Sequence, residues 1–161
     1  MIIRAAQVED AGQIAALWNG MIRDTLATFT TIEKTKEDIT EMLAARRSAF
    51  WVAEDDALLG FVTYGPFRSG PGYVATVEHS IVLAPLARRK GIGRALMKRA
   101  MESAVAQGHH VMVAAISSAN PNAVSFHESL GFDRVGSLPE VGRKADQWLD
   151  LILLQKILSR P

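Results

Sequence analysis

The chain of 161 residues contains no cysteine. That absence excludes a disulfide framework, a thiolate metal site and any reaction passing through an enzyme cysteine. An excess of one charge is also missing: 18 Lys plus Arg stand against 17 Asp plus Glu, a formal net charge of +1. A general nucleic-acid binder would show a basic excess, so no nucleic-acid partner is expected. The apolar runs fall well short of the ~20 residues that span a bilayer, so no membrane partner is expected either. The opening residues Met1 to Ala6 lack a charged segment followed by a long apolar stretch, and so do not read as a secretory signal. The four histidines, His79, His109, His110 and His127, form no HExxH-type pair, and no metal is expected. Repeats, low-complexity segments and Pro/Gly/Ser-rich linkers are absent. The expectation is one soluble, cytoplasmic domain over residues 1–161.

What is present is ordinary globular material, 48% apolar and 22% charged, close to the usual about 45–50% and about 25%. A chain of this length buries about 70% of its extended surface and builds its own core. Ile2–Ala5 reads as a first strand. Glu9-Asp10 then opens a helix with Ile14, Leu17, Trp18, Met21 and Ile22 on one face. A loop holding Thr28, Phe29, Thr30 and Thr31 leads to a second helix, about Thr35 to Arg47. Phe50–Ala53 and Leu58–Tyr64 read as a hairpin turned at Asp55-Asp56. After the loop beginning at Arg68, Tyr73–Leu83 reads as a long strand with Glu78 in its middle. Gly91–Gln107 is a helix, Val111–Ile116 a buried strand, and Asn122–Leu130 a short helix. Two closing strands follow, about Asp133–Val141 and about Trp148–Ile157. This order mixes hairpins with crossovers. It calls for an α/β (α+β) fold with a mixed, mostly antiparallel central sheet and helices on both faces.

The sharpest local signal is Arg88-Arg89-Lys90-Gly91-Ile92-Gly93-Arg94, set between a strand and an amphipathic helix. Glycines allow close backbone approach and φ > 0. The first N–H groups of a helix are unpartnered, and its dipole adds positive potential there. With four cations around them, these donors suit a pyrophosphate. The pattern is not a dinucleotide fingerprint, because Leu96 stands where a third glycine would fall. The second signal is Asn120-Pro121-Asn122-Ala123-Val124-Ser125-Phe126-His127-Glu128-Ser129-Leu130-Gly131-Phe132. Its Asn-Pro start and terminal glycine bracket a helix, and Asn120 and Asn122 offer amides where the preceding strand stops.

Together the two segments resemble the GCN5-related N-acetyltransferase superfamily. Arg88-x-x-Gly91-x-Gly93 matches its (Q/R)-x-x-G-x-(G/A) coenzyme A signature. "DTLATFTT", "GPFRSGPGYVATVEHSIVL" and "GRKADQWLDLILLQK" are similar to the phosphinothricin and methionine-sulfoximine N-acetyltransferase branch. The resemblance implies acetyl-CoA as co-substrate. Its cofactor contacts would come from Ile81, Val82, Leu83, the 88–94 segment (Arg88, Arg89, Lys90, Gly91, Ile92, Gly93 and Arg94), Asn120, Asn122 and Ser125.

It also implies Glu78 as general base, since partial burial mid-strand would raise its pKa toward the working pH. His127 matches the branch histidine at a position where many members place a proton-donating tyrosine. Without cysteine, direct attack in a ternary complex is the natural route, with a backbone N–H of Ser80–Leu83 polarising the carbonyl. Phe29, Arg68, Tyr73, Thr76, Glu78 and Lys144 match branch positions around the acceptor, where an arginine suits a carboxylate. Val82 and Val74 depart from the branch, which often has tyrosine and arginine there. The expected acceptor is the α-amino group of a small amino acid or analogue, and the expected assembly a homodimer. The alternatives are a protein or peptide N-terminal acetyltransferase and a non-catalytic acetyl-CoA sensor.

Overall fold

Short apolar runs separated by turn residues pair into a single seven-stranded sheet of order β1-β2-β3-β4-β5-β7-β6. The strands are β1 (Ile2–Ala5), β2 (Phe50–Glu54), β3 (Leu58–Pro66), β4 (Thr76–Leu83), β5 (Val111–Ser117), β6 (Asp133–Lys144) and β7 (Gln147–Ile157). The helices are α1 (Ala11–Asp24), α2 (Lys36–Ala45), α3 (Ile92–Ala106) and α4 (Pro121–Ser129). These come from a computed structural model that describes residues 1–159. All pairings are antiparallel except β4 with β5. The mixed, mostly antiparallel sheet expected from the element order is the one observed.

Element ends differ from the sequence reading where local chemistry intervenes. Thr35 caps α2, its hydroxyl accepting from Asp38 N at 3.0 Å while Asp38 accepts from Thr35 N at 2.7 Å. The expected strand from Tyr73 begins only at Thr76, because Pro71–Tyr73 form a 3-10 turn. The sixth strand runs on past Val141 to Lys144, its register shifting between Leu138 and Gly142. Glu140 takes φ 56 in that irregularity, and Asp150 accepts from its N–H at 2.9 Å.

Alternation along the strands divides the core between the two faces. Ile14, Trp18 and Ile22 of α1 and Ile39 and Leu43 of α2 pack on Phe50, Val52, Phe61 and Val82. Trp18 and Phe50 meet Phe61 with ring centroids 5.0 and 5.6 Å away. On the other face Leu96, Met97, Ala100 and Ala104 of α3, with Val124 of α4, cover Val62, Tyr64, Val77, Met112 and Leu154. Full burial of side chains this large contributes roughly 1.5–3 kcal/mol each. Among the described residues, no helix is long and apolar enough to cross a membrane.

The feature that positions the site is an interruption in the sheet. β4 and β5 pair only from Thr76↔Val111 to Glu78↔Val113, and then diverge. Each strand nevertheless continues, to Leu83 and Ser117, on its outer neighbour.

Candidate active site

Glu78 stands at the last paired position of β4, where the strands part. It is half-buried on the α1/α2 face, and desolvation pushes its carboxyl above the usual carboxylate range, opposed in part by Arg46. Arg46 follows α2 and lies over β3. Its guanidinium is 3.3 Å from Thr63 Oγ1, and a side chain on Gly65, the residue paired with Glu78, would meet it at 2.9 Å. Gly65 therefore makes the space that lets a cation sit beside the carboxylate.

Beyond Glu78 a cavity of about 290 Å³ passes through the divergence. His79, Ser80 and Ile81 form one wall, Ala114–Ile116 the other, and Thr28 and Thr30 of the α1–α2 loop close one mouth. Asn120 and His127 border the α4 end. Ala84 N–H donates to Leu59 O at 2.9 Å, so alternate residues of β4 face β3. The same alternation turns the N–H groups of Ile81 and Leu83 toward the opening, where β5 no longer pairs with them. Val82 points the other way, into the α1/α2 core.

At the far end of β4 the chain reaches the exposed residues Arg88, Arg89 and Lys90, then α3. Gly91, the N-cap of α3, has φ 78, and Arg89 φ 61, so the turn presents left-handed backbone next to the free N–H groups of the helix. Ile92 is buried, and the exposed Arg94 leans toward Ser129, 3.1 Å from its hydroxyl. Gly93 has a different reason for being glycine. A Cβ there would lie 3.2 Å from Phe126 and 3.3 Å from Leu83, so it lets α3 approach α4 and β4.

Asn120 caps α4 without a side-chain bond, leaving its amide at the cavity wall. Asn122 is exposed, and Ser125 bonds back to Pro121 O at 3.4 Å. These donors and the opening suit a pyrophosphate with an extended thiol-bearing arm. Among the described residues no cluster of three or more His, Cys, Asp or Glu could hold a metal.

The acceptor candidates fall into two groups. Arg68 borders a second cavity, of about 620 Å³, with Arg46, Arg47, Tyr64 and His109. Tyr73 is 45% exposed, its ring 6.1 Å from Phe67, and Thr76 O receives the N–H of Phe67 at 3.2 Å. Phe29 lies instead on the α1–α2 loop, in a space kept open by Gly142, whose Cβ would come within 2.5 Å of the ring. Lys144 is 8% exposed, and its ammonium donates to Ile22 O, Thr25 O and Thr28 O at 2.7, 2.9 and 2.9 Å. All three of its protons are thus held by the end of α1 and the following loop. Glu78 lies between the two cavities: Ser80, on its face, lines one and Gly65, its pair, lines the other.

Sequence reasoning passed over Arg46 and His79. Arg46 had a weak signal, the end of a helix. His79 had a better one: strand alternation sets it on the face opposite Glu78, the face that α4 and His127 cover. His127 is 3% exposed, with Nδ1 2.7 Å from Ala123 O and Nε2 2.8 Å from His79 Nε2.

Known proteins share this chain's sequence pattern and fold. Residues 18–132 match the profile of the acetyltransferase (GNAT) family. The chain is similar to an L-methionine sulfoximine/L-methionine sulfone acetyltransferase of Pseudomonas aeruginosa, 39% identical over 95% of this chain and 92% of that one. A Salmonella typhimurium structure described as an acetyltransferase with its cofactor acetyl-CoA superposes with a TM-score of 0.95, at 33% identity, over 100% of this chain and 95% of that one. A ribosomal-protein-alanine N-acetyltransferase of Brucella melitensis superposes with a TM-score of 0.93, at 34% identity, over 98% of this chain and 99% of that one.

Proposed function

Because the chain belongs to the acetyltransferase (GNAT) family, we propose that this N-acetyltransferase moves the acetyl group of acetyl-CoA to the α-amino group of a small amino acid or analogue. Methionine sulfoximine, methionine sulfone and phosphinothricin are the acceptors in view. The observation that carries the reading is Glu78, desolvated at the point where β4 and β5 part to open a passage toward the glycine-capped start of α3. In this reading the first N–H groups of α3 and the cations Arg88, Arg89, Lys90 and Arg94 hold the pyrophosphate. Asn120, and the backbone of Ile81 and Leu83, line the arm.

The attacking nitrogen must be neutral, and Glu78, directly or through a water, takes its proton as the new bond forms. The N–H groups of Ile81 and Leu83 face the opening and supply donors for the developing oxyanion. Attack within a ternary complex draws on proximity, which can supply roughly 7–11 kcal/mol of the barrier. Arg46 and Arg68 furnish the cations a carboxylate-bearing acceptor needs. Lys144 acts on the pocket by holding its loop. His127 borders the thiol end of the passage. We further infer a cytoplasmic homodimer. Val135, Leu138 and Val141 of the edge strand β6, with Trp148 of β7, are exposed apolar side chains at that edge of the sheet, which a second copy would cover.

The deciding experiment is thiol release from acetyl-CoA across a panel of methionine sulfoximine, methionine sulfone, phosphinothricin, common amino acids and N-terminal peptides. Turnover with the small acceptors supports the reading. Turnover with peptides alone makes the enzyme a protein N-terminal acetyltransferase, a reading kept in view by the similarity to the Brucella protein. Tight acetyl-CoA binding without release from any acceptor identifies a sensor.

A further inference from the structure

The acyl-transfer reading makes no use of His79, yet its ring is buried at the point where the sheet opens. Three short contacts join it to its surroundings in one line. His79 Nδ1 lies 3.1 Å from Val113 O, its Nε2 2.8 Å from His127 Nε2, and His127 Nδ1 2.7 Å from Ala123 O.

The carbonyls at its two ends fix where the protons along that line lie. A carbonyl oxygen only accepts, so each Nδ1 must carry a hydrogen for both end contacts to be hydrogen bonds. Two neutral imidazoles own only those two protons. Their Nε2 atoms would then face each other at 2.8 Å as bare lone pairs. One more proton turns the central contact into a donor–acceptor pair. A fourth has no room, since two N–H groups would meet head to head. The fully bonded pair is therefore a monocation.

Burial works against that charge. It pushes His79 down to about 3, with the charge of His127 adding to the effect, and it pushes His127 down as well. No carboxylate bonds to either ring among the described residues. Glu78 precedes His79 on β4 but turns to the other face, and Glu128 beside His127 is exposed. Phe132 packs on both rings and Phe126 on His127, with centroids 5.1–5.7 Å away. Lys34 is the titratable group across the same cavity, and Lys156 donates to Leu130 O at the C-terminal end of α4. At rest the pair is short of one proton, and burial keeps it so.

We propose that His79 is a positioning residue for acyl transfer: it pins His127 against the opening, and the two rings hold one shared proton while negative charge leaves on sulfur. This rests on the acyl-transfer reading. The atoms balance. As the N–C bond forms and the C–S bond breaks, the acceptor nitrogen releases one proton and sulfur leaves with the electron pair. Glu78 takes that proton and later releases it to solvent, while the pair, having drawn one proton from solvent, passes it to the thiolate and returns to two protons.

The test has two arms. In protein labelled with nitrogen-15 at histidine, long-range NMR correlations follow the ring nitrogens against pH without any turnover. The expected result is that His79 and His127 titrate together in one acid step, taking up one proton. In the H79N variant, whose amide still donates toward Val113 O, His127 loses its partner and titrates at a lower pH. In kinetics, H79N and the longer H79Q are expected to lower kcat by about 10²-fold, to displace the acid limb of the pH profile, and to leave the KM for acetyl-CoA unchanged. Two independent steps near the ordinary histidine value overturn the proposal. So does a wild-type pH profile and kcat in whichever variant folds. If no acceptor supports turnover, the acyl-transfer reading fails separately. The shared-proton geometry is still decided by NMR, and the catalytic role given to His79 falls with the reading.

Discussion

Glu78 combines two environments within a few ångströms. Desolvation raises its pKa, while Arg46, held over Gly65, limits the rise. Activity that requires the carboxylate should therefore fade, as pH falls, above the range of an ordinary glutamate. Replacing Glu78 by Gln is expected to cost 10²- to 10⁴-fold in kcat, roughly the contribution of general base catalysis, with acetyl-CoA affinity retained in calorimetry. Lys144 makes a contrasting case, a buried cation satisfied wholly by backbone carbonyls at a helix C-terminus, where positive charge is favoured. In Lys144→Met those carbonyls lose their donor. Urea denaturation should show a loss of about 1–3 kcal/mol, and the KM for the acceptor should rise because Thr28 and its neighbours are released. Arg should not restore the wild-type values, since a planar guanidinium does not reproduce three convergent ammonium bonds.

Two elements do most to form the site. The start of α3 depends on a left-handed residue at Gly91. An L side chain there costs about 1–2 kcal/mol, and Gly91→Ala should weaken acetyl-CoA binding by about an order of magnitude with little change in acceptor KM. The other element is the hairpin of β6 and β7. It sends Gly142 under Phe29 and Lys144 under the end of α1, so one edge of the sheet holds the loop that walls the opening. Its exposed apolar side chains Val135, Leu138, Val141 and Trp148 should become buried in a dimer. Leu138→Glu should then yield monomers by analytical ultracentrifugation, and a wild-type protein that sediments as a monomer would sink the dimer.

Across the whole molecule, the buried histidine pair links stability to pH. His79 has an unfolded value near 6.5 and falls to about 3 in the fold. A folded value below the unfolded one means that the unfolded chain binds the proton more readily. The associated stability is complete above pH 6.5 and is lost as pH falls toward 3. Thermal unfolding followed from pH 7 to 4 should show the wild-type Tm dropping more steeply than that of a variant lacking His79. Equal slopes would mean that the pair is not held neutral.

Much of this architecture is written locally. Apolar alternation and turn residues place β2, β3 and β4; the capping residues around Thr35 start α2; and the glycine-centred cluster before α3 marks the anion site. Each of these signals involves residues a few positions apart, where backbone preference and side-chain period act directly. Glu78 was legible as a carboxylate in an apolar strand for the same reason. Other features belong to the assembled fold alone. His79 finds His127 across 48 residues, and Lys144 finds Ile22 across 122. Gly93 serves the packing of Phe126 and Leu83, which its neighbours in the chain do not reveal. The parting of β4 from β5 follows from which outer strand each keeps as partner. Such contacts exist only once both faces of the sheet are covered. Residue type and spacing along the chain determined the elements and their chemistry, while long-range packing decided which side chains share a proton, a carbonyl or a gap.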